Sequence, residues 1–130
     1  MNSGAHINLV LGWLWILLGF LTGMVLGLFF HRENWMGGYT SLPRRMYRLG
    51  HISLSALGAV NLLFYFTAQV LPAGAPLVAV GSWSFVAGAI SMPLCCLVMA
   101  HFPKAHLIFT LPVVSLLTAG LVTFLEVLKL

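Results

Sequence analysis

Charged side chains are scarce in this sequence, and acidic ones are almost absent. Only 6% of the 130 residues are charged, and Glu33 and Glu126 are the two acidic residues. A chain with so few charges cannot cover the surface of a water-soluble domain. Non-haem iron sites usually take carboxylate ligands, so the near absence of carboxylates also argues against a site of that kind.

Cysteine is equally sparse, and the two cysteines, Cys95 and Cys96, are adjacent. Adjacent cysteines rarely form a disulfide with each other, and they make no C-x-x-C motif. We interpret them as small apolar packing residues. The sequence also lacks a phosphate-binding loop and a nucleophile beside a base, so a redox or accessory subunit is favoured over an autonomous enzyme.

Long apolar runs are what the sequence has in abundance. Hydrophobic residues make up 61% of the chain, and the mean hydropathy is +1.04. Four runs, at about 7–30, 49–71, 77–100 and 105–128, are each long enough to cross a bilayer as a helix. The sequence therefore predicts an all-α integral membrane four-helix bundle, with residues 1–130 forming one membrane domain.

The basic residues predict how the bundle is oriented. Arg32, Arg44, Arg45 and Arg48 lie in the first connection and Lys104 lies in the third, whereas the second connection has no charge. The positive-inside rule then places both termini on the non-cytoplasmic side, and we expect a bacterial inner (cytoplasmic) membrane. Because the arginines border an apolar run, they do not suggest a nucleic-acid partner.

Each predicted helix has one histidine at the same membrane face: His31, His51, His101 and His106. Neutral imidazoles there suit axial ligation of haem iron, or ligation of copper or zinc. His51 and His106 lie one turn further in, where an imidazole without a partner is costly, so they are the predicted axial pair and the predicted metal ligands. Alternatively, all four are interfacial side chains that bind nothing.

Haem b fits this pattern better than a compact metal site. A bis-histidine haem needs two imidazoles and apolar walls, and small residues let helices approach the porphyrin. Gly27 and Gly58 lie one and two helical turns from His31 and His51. Three basic side chains are predicted to pair with the haem propionates: Arg44, Arg45 and Arg48.

Small residues recur along one face of three of the runs. In the first run, the glycines at residues 19, 23 and 27 and then His31 lie four residues apart. In the second run, a polar face should point into the bundle. That face consists of His51, Ser55, Gly58 and Asn61. Such stripes are helix-packing surfaces or cofactor grooves. Pro93 is predicted to kink the third helix, with a neighbour satisfying the carbonyl that it frees.

The layout resembles that of small bacterial four-helix proteins associated with haem-copper oxidase assembly. The similarity lies in His31 and Arg32 after one helix and in His106 near the basic start of the last helix. It covers the arrangement of the helices and implies no residue roles. Two functions are therefore expected as alternatives. The first is a b-type haem protein that exchanges electrons with a quinone or a partner subunit. The second is a cofactor-free accessory or assembly subunit of a larger respiratory-type membrane complex, or a metal-handling protein.

Overall fold

The computed structural model describes residues 3–130, in which helices are joined by short turns and there is no strand. The four α-helices are α1 (His6–Phe29), α2 (Leu42–Val70), α3 (Val78–His101) and α4 (Thr110–Val127). Short 3-10 turns occupy Ser3–Ala5, Trp35–Gly37 and Pro103–Phe109. Four helical stretches, the last counted from Pro103, are long and apolar enough to cross a membrane, which confirms the prediction of four such helices.

Helix α2 begins seven residues earlier than predicted, at Leu42 instead of residue 49. Ser41 caps it, because its Oγ accepts a hydrogen bond from the backbone N–H of Arg44 at 3.4 Å. Pro43 lies in the first turn, where its missing N–H costs nothing. Three of the four arginines predicted to lie in the first connection, Arg44, Arg45 and Arg48, therefore belong to α2.

The fourth helix begins later than predicted, at Thr110 instead of residue 105. Residues Pro103–Phe109 form 3-10 turns, with a non-helical backbone at Ala105. Pro112 removes the N–H that would bond the carbonyl of Ile108 in a regular α-helix. Sγ of Cys95 donates to that carbonyl at 3.4 Å, which joins the 3-10 segment to α3.

Consecutive helices pack side by side in chain order, α1 on α2, α2 on α3 and α3 on α4. Helix α1 also meets α3 over a smaller area. The aromatic rings of Phe64 and Phe85 lie 5.2 Å apart in an apolar cluster that includes Ala119 of α4. The arrangement is therefore a layered one in which α3 carries α4 on one side and α2 on another.

Glycines bring α1 and α2 into close contact. A Cβ added to Gly58 would lie 2.8 Å from the carbonyl oxygen of Gly12, and one added to Gly19 would collide with the hydroxyl of Ser55. At Gly23 the added Cβ would lie 2.7 Å from Cε1 of His51. The polar face predicted for the second run therefore points at α1, as expected, and the stripe is a helix-packing surface.

A buried polar network ties α1, α2 and α3 together near the start of α1. Nδ2 of Asn8 donates to Oδ1 of Asn61 at 2.8 Å and to the carbonyl oxygen of Ser82 at 3.2 Å. The hydroxyl of Ser82 in turn donates to Oδ1 of Asn8. All three side chains are buried. Because a buried amide without partners is costly, these bonds fix the relative positions of the three helices.

Candidate functional site

A cavity of about 340 Å³ lies between α1, α2 and α3 toward the end of the molecule that carries the arginines. Its walls are almost wholly apolar, although three of the lining residues, Thr22, Tyr47 and His51, have polar side chains. The apolar lining consists of Leu21, Val25 and Leu26 of α1, Gly50 and Leu54 of α2, and Pro93 and Leu97 of α3. Its size falls at the low end of the range of small-molecule sites, about 300 to 1,000 Å³.

The cavity exists because α1 and α3 separate along their length. They are joined near the start of α1, where Asn8 bonds to Ser82, and again where Nε1 of Trp15 donates to the carbonyl of Ala89. Beyond Trp15 both helices still flank α2, but α1 residues from Leu21 to Leu26 and α3 residues Pro93 and Leu97 now face a gap. Gly50 has no side chain to fill it.

His51 is the titratable side chain on the wall of this cavity that the sequence singled out. It lies nine residues after the start of α2, about 13 Å along the helix axis at 1.5 Å per residue. Its ring rests on Gly23, and its Nδ1 lies 3.1 Å from the hydroxyl oxygen of Thr22. A glycine at residue 23 is required, because a Cβ there would strike the imidazole.

The hydroxyl of Thr22 holds the His51 ring in place. Oγ1 of Thr22 lies 2.8 Å from the carbonyl oxygen of Leu18, 3.1 Å from that of Gly19 and 3.1 Å from Nδ1 of His51. Either tautomer of His51 satisfies this contact, because a hydroxyl can donate to an unprotonated ring nitrogen or accept from a protonated one.

A second polar pair lies at the edge of the cavity. Oη of Tyr47 is 3.0 Å from Nε2 of His101, and the two rings meet edge to face with centroids 6.0 Å apart. Tyr47 lines the cavity, whereas His101 is exposed at the end of α3. His101 therefore lies next to the cavity through Tyr47 but does not line it.

The structure does not bring His51 and His106 together. His106 is exposed on the 3-10 segment before α4. That segment contacts α3 at Cys95, whereas Pro93 and Leu97 of α3 face the cavity. Two residues along a helix differ by about 200° around its axis, so α3 separates His106 from the cavity. His31, exposed in the turn after α1, does not line the cavity either.

The three arginines predicted to bind propionates have different surroundings. Arg44 is buried, and its guanidinium donates to the carbonyl oxygens of Phe30 at 2.6 Å and Arg32 at 3.0 Å. The same guanidinium lies 3.9 Å from the centre of the Tyr39 ring. Arg44 therefore holds the connection between α1 and α2 in place. Arg45 is exposed and Arg48 is half-buried.

The two glycines predicted to relieve contact with a porphyrin also differ. Gly58 is occupied by α1, because a Cβ added there would meet the backbone of Gly12 and Ile16. Its small size serves helix packing at a point away from the cavity lining, and its place beside a cofactor stays a prediction. Gly27 has open space around its Cα and is exposed.

Within residues 3–130, no group of three or more His, Cys, Asp or Glu side chains is close enough to hold a metal ion. Of the four predicted histidines, only His51 lines the cavity, so metal binding by His51 and His106 stays a prediction. Comparisons with protein families, with characterised proteins and with solved structures found no match to this chain. What the cavity binds must therefore follow from its own chemistry.

Thr22 and Tyr47 are the site residues that sequence reasoning missed. Tyr47 lies four residues before His51, which puts both on one face once α2 is known to begin at Leu42. The signal for that start was the Ser41 and Pro43 pattern of a capped helix. Thr22 precedes Gly23 in the glycine stripe, but its orientation toward His51 depends on how α1 is rotated against α2.

Proposed function

We propose that this chain is an integral protein of a bacterial inner membrane that binds a lipophilic redox cofactor at His51 and serves electron transfer as a redox or accessory subunit. The observation that carries the proposal is the imidazole of His51 on the wall of an apolar cavity, where its Nδ1 contacts the hydroxyl of Thr22. Both termini are placed on the non-cytoplasmic side, because the cavity end carries most of the basic residues.

The surroundings of His51 support a ligand-binding role over a merely structural one. Imidazoles that bind metals usually donate their other N–H to a fixed partner, which sets the tautomer and the ring orientation. Thr22 offers such a partner at Nδ1, and Gly23 provides the flat surface under the ring.

Haem b, the cofactor predicted from the sequence, would take one axial ligand from His51. The second axial ligand would have to be something other than a histidine of this chain, since α3 separates His106 from the cavity. A porphyrin would also extend beyond the cavity between α1 and α3. Arg45 and Arg48 are left to pair with the haem propionates, because the guanidinium of Arg44 already donates to backbone carbonyls of the first connection.

The test is the content of redox-active lipophiles in the protein purified in mild detergent. Reduced-minus-oxidised spectra detect haem, and extraction into organic solvent with electrochemical detection finds quinones. The wild type and His31→Ala, a change at an exposed histidine, should retain the ligand, whereas His51→Ala should lose most of it. Full retention by His51→Ala, or no such ligand in wild-type preparations from native membranes, would contradict the proposal.

The cofactor-free alternative, an accessory or assembly subunit of a larger complex, is favoured by a separate observation. Gly27 on α1 and Gly120 on α4 both have open space where a Cβ would stand, and both are exposed. Exposed glycines on apolar helices allow another membrane helix, from a partner or a second copy, to approach closely. Loss of a co-purifying complex in Gly120→Leu, with His51→Ala unaffected, would support this function.

A further inference from the structure

The lining of the cavity between α1, α2 and α3 matches a hydrocarbon group. Its walls are almost wholly apolar, and its volume is about 340 Å³. Apolar cavities well below this size stay free of water and take up apolar guests. An unfilled cavity also costs stability, because the side chains around it lose dispersion contacts. Polar groups buried here would lack hydrogen-bond partners, so these walls favour a hydrocarbon occupant.

The cavity opens toward the bilayer between α1 and α3. Leu21 and Val25 of α1 and Leu97 of α3 line the cavity and are each about half exposed on the outer surface. The two α1 residues lie about 6 to 12 Å along the helix axis before the end of α1 at Phe29. In a membrane, an opening at this depth with apolar edges faces the hydrocarbon tails of lipids.

The cavity is elongated along α2. Its lining on this helix runs from Tyr47 to Leu54, a rise of about 10 Å at 1.5 Å per residue. A hydrocarbon tail can therefore lie lengthwise in it. At the end nearer the start of α2, the hydroxyl of Tyr47 lies 3.0 Å from Nε2 of the exposed His101. Polar side chains thus stand where the head group of such a molecule would come to rest.

We infer that the cavity binds one hydrocarbon tail of a membrane amphiphile, acyl or isoprenoid, which enters from the bilayer between α1 and α3. The head group lies toward Tyr47 and His101, and the tail contacts His51 on the cavity wall. Applied to the redox cofactor, the inference rests on the proposed function and narrows that cofactor to a quinone with an isoprenoid tail. Haem b carries no long tail and does not meet this requirement.

The experiment detects contacts between tail protons and methyl groups of the full protein in phospholipid nanodiscs. The protein is deuterated except at leucine and valine methyl groups, and nuclear Overhauser effects to tail methylene protons are recorded. Leu54, half-buried on the cavity wall, should give contacts, as should Leu63 on the outer surface. Leu57, half-buried in the helix packing away from the cavity, should give none. Contacts at Leu63 without contacts at Leu54 would overturn the inference.

Tryptophan variants show whether the tail reaches Leu54 through the proposed opening. Leu97→Trp places a larger side chain at the opening and should remove the contacts at Leu54 while leaving those at Leu63. Leu94→Trp, the same change at an exposed α3 residue outside the cavity lining, should retain both. Val25→Trp narrows the opening from α1 and should act as Leu97→Trp does. Unchanged contacts at Leu54 in both narrowing variants would overturn the inference.

Isotope labelling of the lipids identifies the source of the tail. With deuterated phospholipid tails, a protonated decyl-substituted benzoquinone should give contacts at Leu54, whereas the same ring with a methyl group in place of the decyl tail should not. Such contacts assign the cavity to a quinone tail. Contacts that appear only with protonated phospholipid tails assign it to an acyl tail, which supports the tail site and overturns its narrowing to a quinone.

The outcomes also separate this inference from the proposed function. Haem b bound through His51, with no tail contacts at Leu54, would overturn the inference and leave the proposed function standing. Phospholipid tail contacts at Leu54 in a protein that binds neither haem nor quinone would overturn the proposed function and leave the tail site standing.

Discussion

Nε1 of Trp15 donates a hydrogen bond of 2.7 Å to the carbonyl oxygen of Ala89, the carbonyl that Pro93 leaves without its helical donor. Proline lacks an N–H and would otherwise leave that carbonyl unpaired inside an apolar helix. The bond joins α1 to α3 next to the cavity that Pro93 lines. The proline defect and the tryptophan of another helix are therefore one structural unit, and this unit marks where the α1–α3 contact ends.

The Trp15–Ala89 bond predicts a pair of coupled substitutions. Trp15→Phe should destabilise the protein by about 1 to 3 kcal/mol, the cost of leaving a buried carbonyl unpaired. In a Pro93→Ala background the new N–H at position 93 bonds Ala89 within the helix, so the same substitution should cost clearly less. Thermal unfolding in detergent measures both, with the exposed Trp13→Phe as the control. Equal costs in the two backgrounds would show that the bond is unimportant.

The glycine contacts predict opposite effects for two alanine substitutions. Gly58→Ala places a Cβ 2.8 Å from the carbonyl oxygen of Gly12, so α1 and α2 must separate and the unfolding temperature should fall. Gly27→Ala meets open space and removes a flexible helix residue, which is worth about 0.5 to 1 kcal/mol in a soluble helix. Its stability should stay level or rise. A fall of equal size in both variants would contradict the packing described.

Arg44 is predicted to order the connection between α1 and α2. Its guanidinium bonds to the carbonyls of Phe30 and Arg32, and charged hydrogen bonds of this kind contribute about 1.5 to 3 kcal/mol. Arg44→Gln should therefore speed amide hydrogen exchange and proteolysis across residues 30–41, while Arg45→Gln, at an exposed position, should not. Wild-type exchange rates in Arg44→Gln would remove this role.

Labelling of single cysteines tests the proposed orientation. In a chain with Cys95 and Cys96 replaced by alanine, a cysteine at Gly74 in the second connection should react with an impermeant maleimide from the periplasmic side. A cysteine at Lys104 should react only after the cells are opened, because the basic connections are placed in the cytoplasm. The reverse pattern would invert the topology and put the cavity at the other membrane face.

Local signals in the sequence predict the helices and much of the α1–α2 contact. The spacing of His51, Ser55 and Gly58 gives one face of α2, and that face does meet α1. The freed carbonyl at Pro93 was also predicted to find a neighbour, and Trp15 is that neighbour. Such features depend on periodicity and on single residues with fixed geometry, so they follow from the chain alone.

Long-range packing decides the features that local signals do not predict. His51 and His106 are predicted to lie at a similar depth in the membrane, but that depth does not determine on which side of α3 each residue lies. The burial of Arg44 depends on where the carbonyls of Phe30 and Arg32 come to rest. Likewise, the contact of Thr22 with His51 requires one rotation of α1 among many that its nearly uniform apolar surface allows.

The central claim is that His51 binds a lipophilic redox ligand in the cavity, and nitrogen NMR tests it most directly. The protein is labelled with ¹⁵N-histidine in detergent, and the His51 signals are assigned by their loss in His51→Gln. We predict that these signals move when haem b or a decyl-substituted benzoquinone is added. Signals of His51 that respond to neither ligand would contradict the account.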